Sequence, residues 1–474
     1  MQWETIIGLE IHIQLNTRTK AFCADEAKFS MDPNMQTSII SLAHPGTLPK
    51  LNIRQIESAI RLGLAMQCEI NPSSYFERKQ YFYPDLPKGY QISQQASPIC
   101  LSGQLQISTT AGIKTIRLHH IHMEEDAGKS IHDTDPYWSK IDLNRAGVPL
   151  LEMVTEPDFR NAEEVSVFLN DLQRIIRYLG ISDGNLEEGS MRCDVNVSIR
   201  PAGTTELRER CEIKNINSKR FARKAIEYEV QRQKQIWDSG HVVHRQTMQF
   251  IPEEGITMPI RQKEDAHDYR YFPDPDLPPI LISTKQLNEI KNTQPRLPSE
   301  YLDQLIHEKN LQRADAIILL EDKSAVDYYL DLVKDTPSIH KIASNWTIQS
   351  ILPYLREHQI PINEFPIAKP SLIVFFSAIA SGKLSSQHAQ EIWQHFLDSP
   401  AIPVEKLVEE KINASGTINV SAILEELYKN FPAEAMEFKG GKKKLLGFFL
   451  GEVKKKHPGI NIKAVQDALS SINS

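Results

Sequence analysis

From Gly8 to Leu15 apolar and polar residues alternate without a break, so Leu9, Ile11, Ile13 and Leu15 share one side of an extended chain and Glu10, His12 and Gln14 share the other. A strand so patterned buries one face and offers the second to chemistry. The run from Thr115 to Glu124 predicts another strand, with His120, His122 and Glu124 on one face. Two stretches switch to helical spacing. Between Asn161 and Leu179 the residues Val165, Phe168, Leu169, Leu172, Ile175, Ile176 and Leu179 recur every three or four positions, and Gly180 suits a C-terminal cap. Ser218 to Trp237 predicts a second helix ending near Gly240.

The pattern changes after Pro279. Gln294-Pro-Arg-Leu-Pro-Ser-Glu300 reads as a linker, and Leu302 to about Leu397 is mostly helical with few chemically provocative residues. From about Ile402 a third region begins, and within Lys439–Lys456 seven lysines stand against one glutamate, interleaved with Phe448 and Phe449. The expected architecture is α+β. A catalytic domain over 1–292, built on a mixed or antiparallel sheet, precedes an all-helical domain over 293–402 and a small helical tail domain over 403–474.

Composition narrows the class. At 474 residues, 41% hydrophobic and 24% charged, the chain is that of a soluble multidomain protein, with no apolar run of the roughly 18 residues a membrane span needs. The acidic N-terminal stretch lacks a basic n-region, so export and organelle import are not expected. Five cysteines without a C-x-x-C pair point to reduced thiols in a cytoplasmic setting. A net charge of −7 excludes a chain that coats nucleic acid throughout, and leaves room for one local basic surface.

The segment His122-Met-Glu-Glu-Asp-Ala-Gly-Lys-Ser130 ends like a phosphate-binding loop. Such a loop needs a glycine five residues before its Gly-Lys-Ser, and Met123 stands there, so Ala127–Ser130 reads as a turn. A metal site fares better. Glu10 and His12 project together from one strand, while His122, Glu124 and Glu125 lie at the end of another; hard oxygen ligands with imidazole suit Mg²⁺ or Mn²⁺. Strand alternation puts Glu124 and Glu125 on opposite faces unless the chain bulges, and the turn at Asp126–Gly128 offers that chance. The plainer reading is that these acids rim a solvated strand end. Three further runs place acid, amide and base together: Leu186–Ser198, Cys211–Ser218 and Arg261–Phe272. Arg192, Asp194, Asn196 and Ser198 share a face, as do Glu212 and Lys214, which suggests a pocket for phosphates and a metal. The proline-fixed loop Phe76–Tyr90 adds Lys79 and Lys88, either to cover a ligand or simply to pack on its tyrosines.

Seven of these motifs, GLEIHIQL, RKQYFYPDLPKGYQIS, HMEEDAGKS, NRAGVPLLEMVTEPD, EEGSMRCDVNVS, EIKNINS and KEDAHDYRYFPDPDLPP, occur in an order and at separations that closely resemble the B subunits of aspartyl/glutamyl-tRNA(Asn/Gln) amidotransferases. The resemblance spans essentially the whole chain. It implies that ATP phosphorylates the side-chain carboxylate of Glu-tRNA(Gln) or Asp-tRNA(Asn), and that ammonia then displaces the phosphate. Ammonia would come from an amidase A subunit, with a small C subunit wrapping the pair, since the chain shows no amidase signature of its own. Position by position, the resemblance implies a magnesium or manganese site and catalytic set at Glu10, His12 and Glu125, then Glu124, Asp194 and Glu212. Lys79, Arg192 and Lys214 become contacts to ATP or substrate, and Lys442, Lys443, Lys444, Lys454, Lys455 and Lys456 contacts to tRNA phosphates. The family places the enzyme in the bacterial cytoplasm. Some relatives carry a four-cysteine zinc site; here Ser38 and Ser41 occupy two of its places and only Cys23 remains upstream, so zinc is expected to be absent. A non-catalytic tRNA-binding scaffold and a metal-dependent phosphoesterase are the competing readings.

Overall fold

A computed structural model of the chain describes residues 2–28, 32–131, 137–214, 216–262, 269–398, 403–414, 420–439, 442–456, 465–466 and 468–469. Residues 263–268 of the run Arg261–Phe272, Asn215 of the motif EIKNINS and the side chain of Lys443 lie outside the described residues. The chain forms two compact units, Met1–Pro298 and Ser299–Ser474.

The first unit is built on a 10-stranded sheet. Its main strands are Trp3–Gln14 (β1), Gly112–Glu125 (β2), Pro149–Thr155 (β3), Met191–Pro201 (β4), Cys211–Lys214 (β5), Gln246–Ile251 (β6) and Ile256–Gln262 (β7). They lie in the order β7-β6-β5-β4-β1-β3-β2, after which come Cys100–Leu101 and Glu69–Ile70, and Gln104–Thr109 pairs with β2 off this path as the tenth strand. β5 and β6 run parallel, whereas β1 is antiparallel to both neighbours, so the sheet is mixed. The alternation in β1 acts as its pattern predicts. Ile7, Ile11 and Ile13 are fully buried while Glu10, His12 and Gln14 keep partial exposure.

Two helices cover the apolar face. Ala162–Tyr178 and Lys219–Asp238 match the two helical spacings, with a third helix at Ile53–Ala65; in chain order they are α1 (Ile53–Ala65), α2 (Ala162–Tyr178) and α3 (Lys219–Asp238). Asn161 caps α2 by accepting a hydrogen bond from the Glu164 amide at 2.9 Å, a contact whose loss typically costs about 1 kcal/mol. Gly180 takes the left-handed conformation (φ +68°) just past the helix end. Ser218 caps α3 in the same way at 3.1 Å. One hydrophobic cluster joins Ile11, Ile13, Val195 and Val197 of the sheet to Phe168 and Leu172 of α2 and Ile226 of α3. With one face of the sheet thus sealed, the opposite face of β1 and its neighbours is left for polar residues.

Helix α1 joins the same hydrophobic cluster through Ile56, Ala59 and Ile60 and braces the ends of two strands. Gln55, fully buried, donates to the carbonyls of Glu124 on β2 (2.8 Å) and Leu150 on β3 (3.2 Å). A buried amide bonded to two strands fixes their ends against each other.

In the second unit all regular structure among the described residues is helical, from Pro298–Asp303 to Leu446–Lys456. Aromatic contacts among Trp346, Phe375, Phe376 and Trp393 fill part of it, and Leu427, Phe438, Phe449 and Val453 fill another cluster. No described helix is long and apolar enough to cross a membrane.

Candidate functional site

Strand register assembles the site. Arg192 on β4 pairs with His12 on β1, His12 with Glu152 on β3, and Glu152 with His122 on β2, giving one row across four strands. The next row holds Asp194, Glu10, Val154 and His120. Residues paired across a sheet point to the same side, and residues two apart on a strand do too, so both rows and Glu124 share the polar face.

The side chains converge there. His12 Nε2 lies 3.2 Å from Glu152 Oε2 and 3.4 Å from Glu124 Oε1, and His122 Nε2 lies 3.5 Å and 3.6 Å from the same two carboxylates. Behind them His120 bonds His122 at 3.0 Å. One ligand atom each from His12, Glu124 and Glu152 fall within 4.8 Å of one another, the span of a single ion's coordination sphere. Two carboxylates and an imidazole are hard and borderline donors that fit Mg²⁺ or Mn²⁺.

Electrostatics point the same way without an ion. Burial pulls the His12 imidazole down, but its hydrogen bond to Glu152 and the charge of Glu124 override this and push it up to about 9. His122 is raised against its burial by Glu152 and Glu124. His120, buried among its neighbours His122 and His119, is pushed down to about 4 and stays neutral. Burial and the charges of Glu152, Glu212 and Asp194 hold the Glu10 carboxyl above the usual carboxylate range. Glu152 is buried too, yet the two histidines keep it below that range. The protonated His12 imidazole therefore supplies positive charge that these acids demand.

The remaining candidates surround this centre. Glu10 accepts a hydrogen bond from Asn196 Nδ2 at 3.1 Å. Lys214 Nζ bridges Asp194 (2.6 Å) and Glu212 (2.9 Å). Arg192 reaches the buried carboxylate of Asp126 at 2.6 Å. Lys79 sits 4.9 Å from the ring centre of Tyr269, and its charge is felt at Glu152.

Glu125 is not brought to His12. The pairing of β2 with β3 is regular at Glu124 and Glu125, the irregularity falling between Val154 and Thr155, so adjacent residues point to opposite sides. Glu125 instead accepts from Lys88 Nζ at 2.5 Å on both oxygens and from the Ile92 amide at 2.9 Å. It lines a separate cavity of about 320 Å³ that includes Cys23, His44, Arg78 and Lys88. The turn expected at Ala127–Ser130 is partly a strand, since Lys129–Ile131 pairs with Lys140–Asp142. Gly128 serves tight packing there: a Cβ would come within 2.9 Å of the Asp142 carbonyl and 3.0 Å of that of Asp85.

Glu152 is absent from the candidates read off the sequence. The signal for it is a single acid inside the otherwise apolar run Val148–Val154, where an unpaired charge would be costly. Around Cys23, Asp25 accepts from the Ser41 hydroxyl (2.5 Å) and the Ser38 amide (2.8 Å), and burial keeps the Cys23 thiol protonated. Hydrogen bonds bind this corner together.

Comparison with known proteins decides the family. A family model described as the GatB/GatE catalytic domain matches residues 5–288, and one described as the GatB domain matches residues 327–472. The chain is 42% identical over 476 residues to the B subunit of the aspartyl/glutamyl-tRNA(Asn/Gln) amidotransferase of Thermodesulfovibrio yellowstonii, covering 100% of this chain and 99% of that protein. The chain belongs to the family of aspartyl/glutamyl-tRNA(Asn/Gln) amidotransferase B subunits. The corresponding proteins of Pelodictyon phaeoclathratiforme (44% over 455 residues, 95% of each chain) and Syntrophotalea carbinolica (43% over 473 residues, 99% of this chain and 98% of that one) are similar.

The lysine-rich tail of this family member differs from the sheet face in kind. Lys442 pairs with Glu437 (2.7 Å), Lys455 with Glu452 (2.6 Å) and Lys456 with Glu426 (3.1 Å), while Lys444 and Lys454 are exposed. Phe449 is fully buried and Phe448 packs on Phe431 with ring centres 5.1 Å apart, so both phenylalanines belong to the tail's core.

Proposed function

We propose that this chain is the activating subunit of a glutamine-hydrolysing, ATP-dependent amidotransferase that converts Glu-tRNA(Gln), Asp-tRNA(Asn) or both to the amidated forms. The convergence of His12, Glu124 and Glu152 on one sheet face, with Glu10 beside them, is the observation that carries the reading. A carboxylate is a poor electrophile, and phosphorylation by ATP supplies the leaving group that ammonia then displaces. Joining two anions requires cationic neutralisation, and a Mg²⁺ or Mn²⁺ ion held by His12, Glu124 and Glu152, with Glu10 nearby, would provide it. Asp194 and Glu212 continue the acidic rim and position Lys214. Lys79, Arg192 and Lys214 face the reacting anions, and Glu125 holds Lys88 at the neighbouring cavity. No residue of this reading calls for zinc.

Ammonia comes from an amidase A subunit, and a small C subunit completes the heterotrimer. Residues 293–402 act as a helical spacer and 403–474 as the tail that meets tRNA phosphates through Lys442, Lys443, Lys444, Lys454, Lys455 and Lys456. Cytoplasmic translation is the setting. The test is to assemble the chain with amidase and C subunits and follow conversion of Glu-tRNA(Gln) to Gln-tRNA(Gln) with ATP and divalent ion present or omitted. Conversion that needs both supports the reading; conversion without ATP would exclude the activation step.

A further inference from the structure

Two arginines beside the site have no described partner to explain them. β5 and β6 run parallel with Cys211 opposite Gln246, so Arg210 and Arg245, the residues just before, stand side by side at the starts of neighbouring strands. Like charges placed opposite one another repel. Both arginines are exposed, and neither makes an ion pair or side-chain hydrogen bond with a described residue. The other cations near the acids are already engaged, Lys214 by Asp194 and Glu212 and Arg192 by Asp126.

Carboxylates share the arginines' surroundings. Arg210 and Arg245 line a cavity of about 100 Å³ together with Glu10, Glu212, Asn196 and Gln246. Arg210 and Glu212, two apart along one strand, share a face, and no ion pair between either arginine and Glu10 or Glu212 is found among the described residues. A cavity lined by two guanidiniums and two carboxylates fits an anion that carries its own divalent cation: the anion would meet the guanidiniums and the metal the carboxylates. Paired guanidiniums match phosphate oxygens through bidentate hydrogen bonds. An adjoining cavity of about 320 Å³ shares Glu10, Asn196, Arg210 and Arg245 and adds Val154, Pro157 and Leu207 beside the polar Ser198, Arg208 and Glu209. That size and lining suit a small organic moiety such as a nucleoside.

We propose that Arg210 and Arg245 clamp the polyphosphate of a nucleoside triphosphate, with its metal toward Glu10 and Glu212 and its nucleoside in the adjoining cavity of mixed lining. This rests on the ATP-dependent activation proposed above. It adds two binding residues at the strand starts, and it explains why two adjacent like charges stand without a described counter-charge.

The test uses the assembled heterotrimer and calorimetric titration with Mg²⁺ and a β,γ-methylene analogue of ATP. Arg210→Ala and Arg245→Ala should each weaken analogue binding about 10- to 100-fold, the loss of a charge-assisted contact, and AMP, which lacks the β- and γ-phosphates, should lose less. Arg210→Lys should recover part of the affinity. Far-ultraviolet circular dichroism and intact glutaminase activity of the complex check that the variants are folded. Analogue affinity unchanged in both alanine variants, with wild-type complex binding normally, overturns the clamp and leaves the ATP reading standing. A raised KM for Glu-tRNA with unchanged analogue affinity also overturns it, assigning the pair to tRNA phosphate. Wild-type complex that binds no analogue at all would sink the ATP reading and the clamp together.

Discussion

The polar face of the sheet and the lysine-rich tail both concentrate charge, but they hold it differently. On the sheet, strand register forces Glu10, His12, Glu124 and Glu152 together where water is largely excluded, and the protein answers by raising two histidines and one glutamate away from their ordinary ionisation. In the tail, lysines stand on helix ends in solvent, and three of them are satisfied by single glutamates at the surface. Surface pairs of that kind contribute roughly 0–1 kcal/mol. Converged, half-buried acids carry a standing cost that a bound cation removes; dispersed surface charge carries almost none. The first arrangement therefore marks chemistry and the second marks adjustable, salt-sensitive contact.

The strongest way to break this contrast is to remove one member of each region. Glu152→Gln should lower tRNA amidation by about 10²- to 10³-fold, the scale seen when a preorganised charge at a reacting centre is lost. Lys454→Ala at saturating tRNA should leave the rate nearly unchanged. Equal losses in the two variants would erase the distinction.

A narrower comparison separates neighbours on β2. Glu124→Gln should weaken Mn²⁺ binding by about 10- to 100-fold, whereas Glu125→Gln, whose carboxylate is held by Lys88, should stay within about twofold of wild type. Mn²⁺ paramagnetic resonance titration reads both. A larger effect at Glu125 would show that the chain rearranges to bring this residue to the ion.

Proton linkage gives the next effect. His12 is raised to about 9, so below that pH its imidazole is protonated in the metal-free protein and must lose the proton to become a ligand. Metal affinity should therefore rise with pH, by up to about tenfold per unit between pH 7 and 9, and level off above. Calorimetry in buffers of different ionisation heat would detect the released proton. Affinity independent of pH would remove His12 from the ligand set. The smallest effect is expected in the tail: replacing Lys454, Lys455 and Lys456 together by Ala should weaken tRNA binding and make its dependence on log salt shallower by about 2–3, one counterion or slightly less per lysine.

Much of this is readable in the primary structure, for identifiable reasons. The strict alternation of β1 and the caps at Asn161 and Ser218 are local signals, and they match the strand and two helices observed. Helix α1 is not among the elements read from the sequence, although Ile56, Ile60 and Leu62 on its buried side recur at helical spacing and Asn52 caps it. Glu10 and His12 are legible as a pair from one strand. Their partner Glu152 is a lone acid in an apolar run, and only pairing with β1 shows that it faces His12. The choice between Glu124 and Glu125 turns on whether β2 bulges, a tertiary matter; regular pairing at Leu150 settles which one faces the histidines. Interleaved lysines and phenylalanines in the tail look like a mixed surface in sequence, yet a helix separates them, with Phe449 inside and Lys454 outside.

In the proposed reaction the row of acids and imidazoles on the sheet activates a tRNA-borne carboxylate with ATP. That step is tested most directly by ATP turnover of the assembled heterotrimer, measured with and without Glu-tRNA(Gln), in wild type and in Glu10→Ala. Glu-tRNA should stimulate turnover strongly, and Glu10→Ala should abolish it. Turnover that neither the charged tRNA nor the substitution changes would contradict it.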